Sequence, residues 1–535
     1  MENQQTSQAL YQSLWNCADI LRSKMDANEY KSYLLGTIFY KYLSDKLLYF
    51  VAKTMEQETD DLQEAQRIYE ETYTDEEMHG DLLEVLHDDP EIGYIIEPSL
   101  TFTALVNQAN SGEFQLEFLA QGFRNIEQSN ETFENLFEDI DLYSKKLGQT
   151  PQRQNATISS IMKELSVLNL AGHNGDVLGD AYEYLISQFA SDSGKKAGEF
   201  YTPQPVAKLM TKIVMQGREN KKGFTIYDPT MGSGSLLLNA KKYSNEPGTI
   251  SYYGQELNTS TYNLARMNMI LHGVAVNHQI LNNADTLDQD WPSEEPTDFD
   301  GVLMNPPYSA NWNADKGFLQ DQRFSQFGVL APKSKADFAF LLHGFYHLKH
   351  NGGLMAIVLP HGVLFRGAAE GKIRQALLDE GSIYAVIGLP SNIFYNTSIP
   401  TTVIILKKDR TERDVLFIDA SGEFNKGKNQ NSMTDEHIQK ILDAYANREN
   451  ISKFAHLATF EEIKENDYNL NIPRYVDTFE EEEVVPLTEI VKNMKSTRNE
   501  IEEKTNELNS MLAELVGTDD ASDKELKSFL ADLLG

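Results

Sequence analysis

The chain has a single cysteine, Cys17, so no internal disulfide can form, which fits a reducing compartment. It is short of positive charge: 47 lysines and arginines stand against 81 aspartates and glutamates, a formal net charge of -34. A protein that gripped DNA unaided would carry a basic face, because neutralising phosphates and releasing counterions supplies much of the affinity. Either this chain avoids nucleic acid, or it meets it through a local patch and a partner that lends positive charge. Long apolar runs are missing too, and no uncharged stretch is long enough to span a bilayer. The start, Met1-Glu2-Asn3-Gln4-Gln5-Thr6-Ser7, lacks the basic and apolar regions of an export signal, so a cytoplasmic protein with no membrane partner is expected.

What is present is 41% hydrophobic residues in 535, enough for two or three folded domains. From residue 8 to about 150 the pattern is helical, with Leu10, Leu14, Trp15, Ala18 and Leu21, then Leu34, Ile38, Leu43 and Leu47, at helical spacing. The polar segment Gly148-Gln149-Thr150-Pro151-Gln152-Arg153 marks a boundary. Beyond it strands and helices alternate. Strands are expected near 224–228, 250–256, 279–284, 300–304, 354–359, 384–389, 401–406 and 415–419, and helices near 235–243, 259–272, 336–349 and 367–379. This is the pattern of an α/β, doubly wound, mainly parallel sheet, whose ligands sit at the carboxyl ends of the strands. The last strands are too close in sequence for helical crossovers, which predicts an antiparallel strand at one edge. The expected domains are a helical one over 1–152, the sheet domain over 153–425 and a helical C-terminal region over 426–535.

Four successive strand ends carry Asp228, Glu256, Asp285 and Asn305. Each acid alone is more often a helix cap or a solvated turn, but a regular series at strand ends points to a site. After the first strand, Asp228-Pro229-Thr230-Met231-Gly232-Ser233-Gly234-Ser235 holds two glycines that let the backbone approach a ligand. It is not a phosphate loop, because the Gly-Lys-Ser/Thr ending is absent, and Leu237 stands at the third position of the dinucleotide fingerprint. Asp228 would repel a pyrophosphate and favour a ligand with an ammonium group. Glu256 could bridge the two hydroxyls of a ribose, and Asp285 could accept from an adenine amino group. After the fourth strand comes Asn305-Pro306-Pro307-Tyr308, a rigid turn whose Asn305 side-chain oxygen and Pro306 carbonyl can accept from a planar amine. Tyr308 could stack on a base taken out of its duplex.

These motifs resemble those of S-adenosylmethionine-dependent amino-methyltransferases. More narrowly, Gly198-Glu199-Phe200-Tyr201-Thr202-Pro203, Asp228-Pro229 with Gly232 and Gly234, the Asn305 motif, Lys335-Ala336-Asp337-Phe338-Ala339-Phe340 and Tyr468-Asn469-Leu470-Asn471 resemble the modification subunit of type I restriction-modification systems. The resemblance covers about residues 8–515, most strongly 198–340, and implies a Rossmann-like methyltransferase sheet. One departure is mild: Met231 stands where many relatives have a small residue or cysteine. The resemblance implies S-adenosylmethionine as cofactor, held by Glu199, Tyr201, Thr202, Asp228, Gly232, Gly234, Glu256 and Asp285, and a catalytic pocket of Asn305, Pro306 and Tyr308. It further implies methylation of adenine N6 in double-stranded DNA, with the adenine flipped out. The implied partners are a specificity subunit, a second copy of this chain and an ATP-dependent restriction subunit.

Methyl transfer to an amine needs no strong base, only in-line placement and acceptors aimed at the nitrogen. Cytosine C5 chemistry is excluded, since it needs a nucleophilic cysteine after a proline and Cys17 follows Asn16. Cytosine N4 stays open beside adenine N6. Two other readings remain: methylation of a glutamine amide in a protein, or a non-catalytic clamp that holds the cofactor as a structural ligand.

Weaker features receive plainer readings. His343, His347 and His350 are close to metal-ligand spacing but belong better to a helix end, so no metal is expected. Asp337 either lines the pocket or caps its helix, and Lys195 and Lys196 either meet a phosphate or are solvated. Leu487, Met494, Ile501, Leu508 and Leu515 recur every seven residues, with Ile490 and Met511 on the companion seam, interrupted by Thr497 and Lys504. That is a coiled-coil pattern, expected to pair with the specificity subunit rather than with its own domain.

Overall fold

Strands buried on both faces are apolar at every position, and the segment Leu354–Pro360 has that composition. Its alternate residues Leu354, Ala356 and Val358 enter one core, while Met355, Ile357 and Leu359 enter another. A computed structural model describes residues 2–22, 24–89, 92–170, 175–192, 201–394, 397–428, 430–478, 486–516 and 519–534. It places that segment inside a nine-stranded sheet. The strands are β1 (Thr225–Asp228), β2 (Ser251–Glu256), β3 (Gln279–Asn283), β4 (Gly301–Met304), β5 (Leu354–Pro360), β6 (Ile383–Gly388), β7 (Thr401–Leu406), β8 (Val415–Asp419) and β9 (Ala455–Ala458). Their order is β3-β2-β1-β4-β5-β7-β6-β8-β9.

Neighbours β3-β2-β1-β4-β5 are all parallel, as is the pair β6-β8. The antiparallel edge strand is β9, paired with β8, and it lies beyond the strands read from the sequence. A second antiparallel strand, β7, sits inside the sheet between β5 and β6. No helix occurs among the described residues of the connection 389–400, so the chain returns beside β6 in the opposite sense. The helices Gln204–Met215, Ser235–Tyr243 and Asp435–Asn447 cover one face. Asp337–Tyr346 and Ala368–Asp379 cover the other.

The helical region has its own core, in which Leu14, Ala18, Leu21, Leu34, Ile38, Leu43 and Leu47 are buried. Packing divides the chain differently from the limits read at 152 and 425. Helices Pro151–Ser166 and Gly175–Asp192 bury Ile158, Ile161, Met162, Leu165, Leu178 and Leu185 in the helical core rather than against the sheet. That core continues into Leu264, Met267 and Leu271 of the helix Thr259–Leu271, which ties it to the sheet. At the other end, β9 and Asp435–Asn447 pack on the sheet, so one unit runs to Thr478 and a second comprises Phe479–Gly535. Within the second unit lie the helices Leu487–Ala513 and Asp520–Leu534. No residue of Leu487–Ala513 is buried, and Leu487, Met494, Ile501 and Leu508 of the heptad series are exposed. Leu515 falls past the helix end. Among the described residues no helix is long and apolar enough to cross a membrane.

Gly254 in β2 shows how tightly strand and motif loop meet. A Cβ there would overlap Met231 Sδ and come within 3.1 Å of Leu281 and 3.2 Å of Leu237. Gly254→Ala is expected to cost about 1–3 kcal/mol through overpacking and to push the Met231 loop outward. Thermal unfolding should show a lower midpoint, and a cofactor titration should show weaker binding.

Candidate active site

The strand order reverses between β1 and β4, and the crevice outside their carboxyl ends is where an open α/β sheet binds ligands. Asp228 closes β1, and Asn305 follows the last residue of β4. Tyr201, Thr202, Asp228, Gly232 and Asn305 line one narrow cavity of about 10 Å³. The turn after β1 requires glycine, since Gly232 and Gly234 have φ of +55° and +76°. Gly234 then caps the helix Ser235–Tyr243. Glu256 ends β2 and accepts from the Gly232 N–H at 3.1 Å and the Asn258 N–H at 2.8 Å, which ties the glycine turn to the second strand.

Asn305 is buried, with 6% exposure. Its Nδ2 donates to Thr202 Oγ1 at 3.1 Å, and its Oδ1 accepts from the Tyr308 hydroxyl at 2.9 Å. Pro306 is buried beside it. The Tyr308 ring meets Phe394 edge-on at 6.0 Å, and burial holds its hydroxyl far above the usual phenol range, so it stays a neutral donor. The next residue, Ser309, has φ of +51°. Its N–H donates to Asp337 Oδ1 at 2.7 Å, and Arg366 donates to Asp337 Oδ2 at 2.8 Å. Asp337 is fully buried at the start of the helix Asp337–Tyr346 and makes no cap bond; it anchors the turn instead of lining the cavity. Arg366 carried no mark in the sequence, because its partner lies 29 positions away.

Other expected residues stand apart. Asp285 is exposed, and its Oδ1 accepts from the Leu287 N–H at 2.9 Å, a local turn outside the cavity. Glu199, with Lys195 and Lys196, lies outside the described residues. His343 bonds Tyr227 through Nε2 at 2.9 Å and Arg323 through Nδ1 at 3.1 Å, while His347 bonds Asp290 and the Thr297 carbonyl. Both rings are committed to a buried network, and the Arg323 guanidinium opposes a cation there. His350 pairs with Asp409. A cavity of about 620 Å³ lies at the amino ends of the parallel strands beside Asp298, Arg323 and Lys408, and neither the glycine turn nor the Asn305 motif lines it.

Burial pushes the Asp228 carboxyl up to about 7, with lesser contributions from the Thr230 hydrogen bonds, which lower it, and from the Glu256 charge, which raises it. Burial also raises Glu256. A carboxyl whose folded pKa lies above its unfolded value of 3.8 stabilises the fold while protonated, and that contribution is lost as pH rises toward about 7. At about 1.4 kcal/mol per pH unit, the ceiling is on the order of 4 kcal/mol. In ligand-free protein, Asp228→Asn should therefore raise the unfolding midpoint at pH 8 and have little effect at pH 4, which paired thermal melts across that range would check.

Comparison with known proteins adds the family. Residues 173–484 match the family model described as N-6 DNA Methylase, and residues 10–165 match the HsdM N-terminal domain. The chain is 34% identical to the type I restriction enzyme MpnII methylase subunit of Mycoplasma pneumoniae, covering 96% of this chain and 97% of that protein. It is 32% identical to the MjaVII methylase subunit of Methanocaldococcus jannaschii, covering 96% and 84% respectively. The crystal structure of a type I restriction-modification methyltransferase subunit from Streptococcus thermophilus is 74% identical, with a TM-score of 0.86, over 88% of this chain and 100% of that one. The residues at the crevice fit a cofactor with an ammonium group and no phosphate: a buried acid without an ion-pair partner among the described residues, a glycine turn and no phosphate loop. The chain belongs to the N-6 DNA methylase family as a type I restriction-modification methylase subunit, with S-adenosylmethionine as its methyl donor.

Proposed function

We propose that this chain methylates N6 of an adenine turned out of duplex DNA, at sites chosen by a separate specificity subunit. The observation that carries this reading is the Asn305 amide, buried at the end of β4 and sharing one cavity with Asp228 across the switch point. S-adenosylmethionine supplies an electrophilic methyl group. Asp228, Gly232, Gly234 and Glu256 hold the cofactor, with Tyr201 and the backbone of Thr202 as the wall on the β4 side. Asn305 Oδ1 and the Pro306 carbonyl accept the two amine hydrogens and draw the nitrogen toward a tetrahedral form, with its lone pair facing the cofactor. The Tyr308 hydroxyl occupies Asn305 Oδ1 in this structure, so the ring must swing away, and it then stacks on the base. The family match favours DNA over a protein glutamine, and adenine N6 over cytosine N4.

The net charge of -34 supports an assembly in which other subunits contribute the basic surface. The relatives are subunits of type I restriction enzymes, which supports a specificity subunit, a second copy of this chain and a restriction subunit as partners, and a cytoplasmic setting. The exposed apolar residues of Leu487–Ala513 are the contact for the specificity subunit.

With labelled S-adenosylmethionine, unmethylated DNA and the specificity subunit, the wild-type chain should place label in N6-methyladenine. Asn305→Ala should reduce transfer by at least about a hundredfold while cofactor affinity stays within about twofold. Label in another base, or an active Asn305→Ala enzyme, would overturn the reading. Deleting residues 487–515 should abolish co-purification with the specificity subunit and leave cofactor binding by the remaining chain intact; retained assembly would remove the role of that helix.

A further inference from the structure

The two ends of the Asn305 amide are chemical opposites, and only the oxygen end can receive an amine hydrogen. Were the amide turned over, Nδ2 would face the incoming N–H, donor against donor, and the turn would repel its substrate. Two hydroxyls flank the amide: Thr202 Oγ1 at 3.1 Å from Nδ2, and the Tyr308 hydroxyl at 2.9 Å from Oδ1. The Tyr308 contact is lost when that ring moves onto a base, because the substrate N–H takes its place. The Thr202 contact can persist, since Thr202 lies on the segment before the helix Gln204–Met215 and only the Tyr308 ring has to move.

We propose that Thr202 is a positioning residue for methyl transfer, whose hydroxyl accepts from Asn305 Nδ2 and keeps Oδ1 turned toward the substrate amine. This rests on the reading of Asn305 as the amine acceptor and refines the part given to Thr202: its hydroxyl serves the catalytic amide rather than the cofactor. The pairing joins residues 103 positions apart in a buried setting, with Thr202 and Asn305 each 6% exposed. Water therefore has little room to replace a lost hydroxyl, and removing it leaves a buried amide donor without this acceptor. The cofactor-side contacts of Asp228, Gly232 and Glu256 do not pass through the Thr202 hydroxyl.

The test uses the chain assembled with its specificity subunit on unmethylated DNA, and compares Thr202→Val, Thr202→Ala and Thr202→Ser. Valine and alanine remove the hydroxyl, while serine keeps it. Single-turnover transfer is expected to fall by roughly tenfold or more in the first two and to return toward the wild-type rate in the serine enzyme. The dissociation constant for S-adenosylmethionine, measured by equilibrium binding, should change by less than about twofold in all three. A weaker cofactor affinity with an unchanged transfer rate would overturn the proposal and make Thr202 a cofactor ligand. Unchanged rate and affinity in the valine and alanine enzymes would also overturn it. If the valine enzyme does not fold, the alanine and serine pair carries the comparison. Asn305→Ala separates the two levels: if it is inactive while Thr202→Ala is normal, only the role of Thr202 fails, whereas an active Asn305→Ala enzyme removes the acceptor reading itself.

Discussion

Everything at the candidate site depends on the reversal of strand order between β1 and β4. The helix that follows β1 packs on one face of the sheet through Leu236, Leu237 and Leu238, whereas the helix that follows the β4 loop packs on the other through Phe338, Leu341 and Leu342. Two chains of connection leaving in opposite directions open a crevice that no helix among the described residues fills. Asp228 stands on one bank and Asn305 on the other, and the two line one cavity.

Three buried polar groups around the crevice are satisfied in three ways, and the differences follow their tasks. Asp337 has a backbone N–H and the Arg366 guanidinium, so its charge is compensated and it serves as a rigid anchor for Ser309. Asn305 is neutral and held between two hydroxyls, one of which can leave. Asp228 is buried with hydrogen bonds from Thr230 alone to offset the lost solvation, and that burial, with a smaller contribution from the like charge of Glu256, is why its carboxyl resists ionisation. A group left in an unfavourable state beside a cavity is what a ligand-binding position looks like before the ligand supplies the missing partner. The fold tolerates this because the surrounding strands are buried and over-determined by their packing.

Much of this was legible in the sequence because it is local. Apolar runs bounded by turns located β1 to β8 within a few residues, and the residue at each strand end followed directly. Strand β9 escaped because Ala455–Ala458 is short and only half-buried, with neither a long apolar run nor a clear alternation. The boundary near 152 looked natural because Gly148 to Arg153 is polar, yet Thr150 and Pro151 there start a helix rather than end a domain. Asp285 shared the strand-end signature of its neighbours, but it lies beyond β3, a half-exposed edge strand, and its carboxylate closes a local turn.

The sequence by itself determined the strand and helix periodicity, the order of the motifs, the glycine turn after β1 and the rigid Asn305-Pro306-Pro307-Tyr308 turn, since each depends on residues a few positions apart. Only the tertiary structure decided which of those motifs share a cavity. The contacts of Asn305 with Thr202, of Ser309 with Asp337 and of Gly232 with Glu256 span 103, 28 and 24 positions. Their geometry is set by how the sheet is wound and how its helices pack, and no periodicity along the chain encodes that distance.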